Sequence, residues 1–387
     1  MQTRPTTQWA SIRAARLAAL ISAPALALLF TLSVSNAQQD PSSSVRPPAG
    51  AVVPSNPNVV EPQRPGNYDV EMWKKVREGL KGQVSIPDKK AGQLVQSDGE
   101  AWRNFRNVPL ARYGLWAIGG MLALLAAFFL LRGRIQIEGG WAGRSIARFG
   151  DVERFSHWLL AVSFLILALT GLNVLYGRYL LLPLIGAESF SAVSQSGKWL
   201  HNYVGFAFMI ALALTFIVWV RQNLPSWRDL VWLAKGGGMF LKGSHPPAWK
   251  FNAGQKIIFW LVMLGGLSLS LSGLALLFPF QTALFAKTFA LLNMLGSHLP
   301  TELTPLKEMQ YAASWHSMVA LALLVVIIAH IYIGTLGMQG AFAAMGSGHV
   351  DVNWAKEHHS LWAAEELKRM ESAAAAETDA ARLAPAE

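Results

Sequence analysis

The chain alternates between long apolar runs and polar segments that are rich in charge, proline and glycine. After an N-terminal apolar stretch come five further runs of about 20 residues, long enough to cross a bilayer as helices. Helices are expected because lipid cannot satisfy the open backbone groups of irregular structure. The pattern predicts an all-α membrane protein with spans at about 113–131, 155–175, 200–220, 257–278 and 315–334.

Residues 1–37 have the features of an export signal. Arginines precede an apolar stretch, and the small residues Ser35 and Ala37 fit a cleavage site. An uncleaved anchor helix is the alternative, and it gives the same topology. Residues 38–112 begin with a proline-rich stretch and are expected to form a periplasmic, largely extended segment.

Basic residues are distributed unevenly among the loops. The loops at 132–154 and 221–256 hold five and six of them, whereas the loops after the second and fourth of these spans hold two each. Lys and Arg concentrate in cytoplasmic loops. We therefore expect a multi-pass protein of the bacterial inner membrane with a cytoplasmic C-terminus. The formal net charge of +10 is better explained by these orienting basic residues than by nucleic-acid binding.

Composition narrows the candidate chemistry. The chain is 52% hydrophobic and 14% charged, and it contains no cysteine. The lack of cysteine excludes disulfides, cysteine-ligated iron–sulfur clusters and thioether-attached haem. Any redox cofactor must therefore be held by histidine or belong to a partner.

Four of the nine histidines lie in spans or at their mouths. His316 and His330 are 14 residues apart on the last span, which places them about 21 Å apart on nearly the same helix face. By depth, His201 pairs with His316 on the outer side, and His157 pairs with His330 on the inner side. Neutral imidazole is an iron ligand, so two pairs at matched depth indicate two haems b stacked in a four-helix bundle.

These histidines could also have roles that involve no haem. A lone histidine at the mouth of a span is more often an interfacial polar residue than a ligand. A proton relay usually includes buried Asp or Glu, and the four bundle spans have none in their interiors. The other five histidines are expected to be solvated in loops or in the tail: His245, His298, His349, His358 and His359.

A short polar stretch just before the fourth span is a candidate quinone site. Asn252 and Gln255 can hydrogen-bond a carbonyl, and Gly254 lets a ring approach the backbone. The alternative is a helix N-cap at Asn252 followed by a basic anchor. Chemistry alone does not favour either interpretation.

Residues 148–365 resemble the cytochrome b (gamma) subunit of respiratory formate dehydrogenases. The resemblance rests on the order RFSHW, KWLH, KFNAGQK and WHSMVALALLVVIIAHIYIGT, and on the trailing WAKEHHSLWAAEE. It implies a four-helix bundle with two haems b and a quinone beside the inner one. The iron ligands would be His201 with His316 on the outer side and His157 with His330 on the inner side, and the quinone would bind near Asn252, Gly254 and Gln255.

The same resemblance implies partners and an activity. Electrons would come from an iron–sulfur beta subunit, attached to a molybdenum- or tungsten-containing alpha subunit that oxidises formate on the periplasmic side. They would pass through the haems to quinone on the cytoplasmic side and generate membrane potential. The chain would be the quinone-reducing subunit, without catalytic residues for formate. Its dihaem domain would span 155–338, with an extra N-terminal transmembrane helix at 113–132, a cytoplasmic linker at 133–154 and a cytoplasmic tail at 339–387.

Two alternative functions follow from the same residues. The cytochrome b subunit of a membrane hydrogenase, or of another molybdoenzyme, could use the same histidine geometry. A transporter with intramembrane histidines belongs to a different class, and it predicts no stoichiometric haem and no visible absorption.

Overall fold

The computed structural model describes residues 81–83, 93–238 and 243–383. The expected signal peptide and most of the segment that follows it lie outside the described residues. Long helices dominate the described part. By length and composition, five of them could cross a membrane, as predicted: Ala101–Arg132, Asp151–Leu180, Leu182–Trp219, Ala253–Leu277 and Pro305–Gly337.

The elements follow one another in a simple order. The first half contains β1 (Lys81–Gln83), β2 (Gln93–Val95), α1 (Gln96–Phe105), α2 (Ala111–Arg132), β3 (Ser145–Ala147), α3 (Asp151–Leu180) and α4 (Leu182–Trp219). The second half contains α5 (Trp227–Ala234), α6 (Ala253–Leu277), α7 (Leu284–Asn293), α8 (Pro305–Tyr332), α9 (Ala343–Gly346), β4 (His349–Asp351), α10 (Val352–His358) and α11 (Ser360–Leu383).

The first spanning helix begins earlier than its apolar run. The polar pattern predicts an extended segment up to residue 112, but residues 96–112 are helical: α1 continues into α2 through a π-helical turn, Arg106–Leu110. This turn contains Pro109, which lacks an N–H group and would break the hydrogen-bond pattern of a regular α-helix. Hydropathy misses this segment because its first turns are polar.

Four helices form the bundle, in which α3 packs on α4, α4 on α6, α6 on α8 and α8 on α3. The extra helix α2 packs against α8 from outside. Its Gly114 lies against Leu321, and the hydroxyl of Tyr176 on α3 donates to the carbonyl of Ala111 over 2.9 Å. The position of α2 leaves the interior of the bundle to the other four helices.

One end of the bundle carries a folded cap, made of residues 135–150, 243–252 and 338–363. Here β3 pairs antiparallel with β4, and Ile146 and Val350 face each other, each 1% exposed. We call this end the tail side and the opposite end the far side. The expectation that His358 and His359 are solvated is wrong, because the tail folds back onto the loop before α6. His359 is 1% exposed, and its Nδ1 lies 2.7 Å from the carbonyl of Trp249.

Candidate functional site

The structure brings the four candidate histidines together in two pairs, as their depths predict. His201 on α4 faces His316 on α8, with ring centroids 6.3 Å apart. His157 on α3 faces His330 on α8, with ring centroids 6.2 Å apart. The first pair lies towards the far side and the second towards the tail side, and α8 supplies one ring to each.

The spacing within each pair fits two ligands of one metal ion. An ion held between two imidazoles, with each nitrogen about 2 Å away, places the ring centres about 6 Å apart. All four rings are half-buried among apolar helices. Neutral imidazole is a common metal ligand. The donor set is therefore one that haem iron accepts.

Small residues leave room beside the rings. A residue four positions after a histidine shares its helix face, and in each case it is Gly or Ala: Ala161, Gly205, Ala320 and Gly334. Apart from the chain neighbours and the local helix backbone, no atom of the described structure lies within 4 Å of where a Cβ would stand at Gly205 or Gly334. A small residue four positions after each histidine is therefore a sequence signal for a planar group that lies against the rings. The positions of the histidines alone do not contain this signal.

The far-side pair is held by hydroxyl groups from the other two helices. Thr170 Oγ1 on α3 lies 2.7 Å from His201 Nδ1, and Ser272 Oγ on α6 lies 3.0 Å from His316 Nδ1. All four bundle helices therefore contribute to this pair. Sequence reasoning missed both hydroxyls, because neither is near a histidine in the chain.

The tail-side pair has different surroundings. The His157 ring contacts Trp158 and Trp219, with centroids 5.3 Å and 6.3 Å away. Its Nδ1 is buried and has no hydrogen-bond partner in the part of the chain that the structure describes. The neighbours of the His157 ring are therefore aromatic rings, whereas the far-side histidines have hydroxyl groups as neighbours.

Glu153 is a further polar residue at this end, one helical turn before His157. Its Oε1 accepts hydrogen bonds from Trp219 Nε1 over 2.9 Å and from Lys250 Nζ over 2.7 Å. Its Oε2 accepts one from the backbone N–H of Gly150 over 2.9 Å. Glu153 and His157 are four residues apart, so they lie on one helix face. This spacing is the sequence signal by which Glu153 could have been predicted as part of the site.

The candidate quinone residues form the N-terminus of α6. Asn252 Oδ1 accepts from the N–H of Gln255 over 3.0 Å, and Gln255 Oε1 accepts from the N–H of Asn252 over 3.1 Å. This capping box occupies both amide oxygens, so the amide N–H groups are what these side chains can offer a ligand. A Cβ at Gly254 would lie 3.1 Å from the Trp232 ring, so Gly254 allows α5 to pack closely.

A cavity of about 350 Å³ lies beside this helix start on the tail side. The two lysines that flank the stretch, Lys250 and Lys256, both line it, together with Arg221 and Trp249. Asn252, Gly254 and Gln255 are not among its lining residues. On the other side, Phe251 links the stretch to the tail-side pair, since its ring lies 5.3 Å from that of Trp219.

The cap holds a buried cation outside the spans. Arg148 is 3% exposed, and its guanidinium lies about 5 Å from the ring centres of Phe149 and Trp354. Burial lowers the pKa of Arg148 to about 9, although Glu153 opposes this shift. Burial, together with the charges of His245 and Arg148, lowers the pKa of His358 to about 4. The cap thus keeps His358 neutral at physiological pH.

A membrane-spanning helical bundle with facing histidine pairs defines the class of the membrane b-type cytochromes. Comparison with protein families agrees: the chain belongs to the prokaryotic cytochrome b561 family, which matches residues 148–348, slightly more than half of the chain. Membership of a cytochrome b family implies that the chain binds haem b. The chain is therefore a multi-pass membrane cytochrome, as predicted.

Curated relatives narrow the comparison further. The chain is 27% identical over 221 residues to the cytochrome b556(Fdn) subunit of the nitrate-inducible formate dehydrogenase of Escherichia coli K12, covering 57% of this chain and 90% of that one. It is 28% identical over 231 residues to the cytochrome b556(fdo) subunit of formate dehydrogenase from the same organism, covering 59% and 97%. The cytochrome b556 subunit of Haemophilus influenzae formate dehydrogenase is 27% identical over 226 residues, covering 57% and 84%. These names agree with the resemblance found from the motifs.

Proposed function

We propose that this chain is the membrane cytochrome b subunit of a formate dehydrogenase complex and that it delivers electrons to quinone. The proposal rests on two histidine couples at different levels of α8. Within each couple the two rings face each other, with ring centroids 6.3 Å apart in one and 6.2 Å apart in the other. The names of the relatives support formate dehydrogenase as the enzyme. Two redox centres at different depths are what electron transfer across a bilayer requires.

Each couple would hold one haem b through its imidazole nitrogens. His201 and His316 would hold the haem on the far side, and His157 and His330 would hold the haem on the tail side. When bound, the two haems take up and release single electrons between the partner subunits and quinone. The chain's own contribution is to fix the ligands at two depths and to surround them with apolar helices.

The basic loops support the orientation of the complex. The loops 132–154 and 221–256 hold five and six basic residues, and their described parts flank the tail side, so the tail side is cytoplasmic and the far side periplasmic. An iron–sulfur beta subunit and a molybdenum- or tungsten-containing alpha subunit dock at the far side. In this arrangement 113–132 is an added helix at the rim of the bundle, and 155–338 is the dihaem domain.

Quinone binds at the start of α6 on the tail side. The amide N–H groups of Asn252 and Gln255 donate to a quinone carbonyl, and Gly254 keeps the local backbone tightly packed. Protons for the reduced quinone enter from the cytoplasm, whereas formate releases its proton outside. Charge is therefore separated without a proton crossing the chain, and this separation generates membrane potential.

A reduced-minus-oxidised visible spectrum of the complex, with haem quantified per chain, tests the proposal. We expect two non-covalent haems b. His201→Ala and His316→Ala should each remove the same spectral component, and His157→Ala and His330→Ala should remove the other. Each loss should abolish electron flow from formate to quinone, while His298→Ala, at an exposed position, should leave both components unchanged.

Three results would overturn the proposal. A folded chain without haem, even when haem is supplied, would favour a transporter. Formate-to-quinone activity that survives loss of the far-side haem would show that electrons do not pass through this chain. Co-purification with a hydrogenase in place of a formate-oxidising subunit would reassign the electron donor.

A further inference from the structure

The two bundle helices that carry no far-side histidine each bring a hydroxyl and a glycine to a far-side ring. On α3 these are Thr170 and Gly171, and on α6 they are Ser272 and Gly273. A Cβ at Gly171 would stand 3.7 Å from Cε1 of His201. A Cβ at Gly273 would stand 3.4 Å from Cε1 of His316. Each far-side ring therefore lies against the same two-residue arrangement, a hydroxyl residue followed by a glycine.

The helix carbonyls favour one direction for each hydrogen bond. Thr170 Oγ1 donates to the carbonyl of Ile166, four residues earlier, over 2.8 Å. Ser272 Oγ donates to the carbonyl of Ser268, also four residues earlier and over 2.8 Å. A hydroxyl has one hydrogen, and a carbonyl can only accept, so each hydroxyl meets its histidine with a lone pair. With the hydroxyl hydrogens on these carbonyls, the Nδ1 atoms of both histidines carry the ring hydrogen and the Nε2 atoms carry the lone pair. The backbone hydrogen bonds of His201 to Leu167 and of His316 to Leu269 favour the same tautomer.

A hydrogen bond donated by Nδ1 makes the ring a better electron donor through Nε2, because the N–H bond is polarised towards the acceptor. Greater donation favours the oxidised, more positive form of a ligated iron, which lowers its reduction potential. On the tail side, His157 Nδ1 has no such acceptor within the described residues. The two histidine pairs should therefore differ in donor strength.

We propose that Thr170 and Ser272 are positioning residues that fix His201 and His316 in the Nδ1–H tautomer and lower the reduction potential of the far-side haem below that of the tail-side haem. This inference rests on the proposed function and deepens it. With that order of potentials, electron transfer from a periplasmic to a cytoplasmic haem would be downhill. The two hydroxyls thereby favour one direction of transfer through a bundle whose pairs have nearly equal spacing.

A redox titration of the intact complex, followed by visible absorption, tests the proposal. His201→Ala, which loses the far-side haem, identifies which wild-type component belongs to it. Thr170→Val and Ser272→Ala should then raise the potential of that component and narrow the gap between the two. Thr170→Ser and Ser272→Thr keep an oxygen in place and should restore the wild-type value. Haem content per chain is measured alongside.

Ser163→Ala is the matched control. Ser163 is a buried hydroxyl on α3 that also donates to the carbonyl four residues earlier, over 2.7 Å, and no hydrogen bond links it to a histidine in the described structure. Its removal should leave both potentials unchanged. If Thr170→Val fails to fold, Ser272→Ala gives the same readout from a different helix.

The outcomes separate this inference from the proposed function. Two haems with unshifted potentials in both hydroxyl variants would overturn the inference and leave the proposed function intact. An equal shift after Ser163→Ala would also overturn it, because the effect would then come from helix packing. A wild-type chain without a far-side haem would defeat the proposed function itself.

Discussion

The indole N–H of Trp219 donates to Glu153 Oε1 over 2.9 Å, and the Trp219 ring lies 6.3 Å from the ring of His157. Lys250 Nζ reaches the same Glu153 oxygen over 2.7 Å. Three segments that are far apart in the chain therefore meet at one carboxylate. Through Glu153, the tail-side histidine pair is connected to the residues that precede α6.

Glu153→Gln should destabilise this junction. The amide can still accept from Trp219, but it no longer neutralises Lys250, whose side chain is only 23% exposed. Loss of a partly buried charge-assisted hydrogen bond should cost about 1–3 kcal/mol of unfolding free energy. Thermal unfolding in detergent, followed by tryptophan fluorescence, measures the change.

Asp151→Asn is the control for that substitution. Asp151 lies in the same first turn and pairs with Arg154, but its side chain is 99% exposed. Because solvent screens this pair, its loss should change stability by less than about 1 kcal/mol. Equal effects of the two substitutions would mean that general charge at the helix start, and not the Glu153 junction, stabilises this end.

Asn252 combines two roles that substitutions can separate. Asn252→Ala should cost about 1 kcal/mol by loss of the N-cap and should also raise the apparent KM for quinone. Asn252→Ser keeps a capping oxygen but removes the amide N–H, so it should raise the KM while stability stays near the wild-type value. Haem content should not change in either variant. If the serine variant has a wild-type KM, Asn252 acts only as the cap and the proposed quinone contact is wrong.

The sequence was sufficient to predict the spans and the two histidine couples, because hydrophobic length and the 14-residue spacing on one helix report depth directly. It could not predict Thr170 beside His201, since that contact depends on how two helices rotate against each other. The burial of His359 was missed for a related reason. Its neighbours in the chain are polar, and what covers it is a loop more than 100 residues away, at Trp249.

Gly114 sets the distance between the added helix and the bundle. A Cβ there would stand 2.6 Å from the Tyr176 hydroxyl and 2.7 Å from Leu321 Cδ1. Gly114→Val should therefore push α2 away and weaken the bond from Tyr176 to the Ala111 carbonyl, at a cost of about 1–3 kcal/mol. Gly119→Val is the control, because no described atom beyond its chain neighbours and the local helix backbone lies within 4 Å of its Cβ position.

Disulfide crosslinking measures this displacement well, because the chain contains no cysteine of its own. Ala117 and Ala322 line the same groove between α2 and α8 and can each be replaced by cysteine. Crosslinking of this pair should fall in the Gly114→Val background and stay unchanged with Gly119→Val. Unchanged crosslinking in both would show that α2 tolerates the added side chain without moving.

Acidification should loosen the cap through His358. Its pKa is lowered to about 4 in the folded chain, from an ordinary value of 6.5, because burial and the nearby His245 and Arg148 disfavour its charged form. Below pH 6.5 the unfolded chain takes up a proton that the folded cap resists, so stability falls as pH drops towards 4. At 1.36 kcal/mol per pKa unit, the loss from this group approaches about 3 kcal/mol.

His358→Phe removes the titrating group and keeps a ring beside Trp354, whose centroid lies 5.2 Å from that of His358. The difference in Tm between pH 7.5 and pH 4.5 should therefore be smaller in this variant than in the wild type. Part of the difference should remain, since burial also holds the pKa of the neighbouring His359 well below its usual range. His298→Phe, at an exposed position, should keep the full wild-type difference. If His358→Phe keeps it as well, the cap does not couple its folding to this histidine.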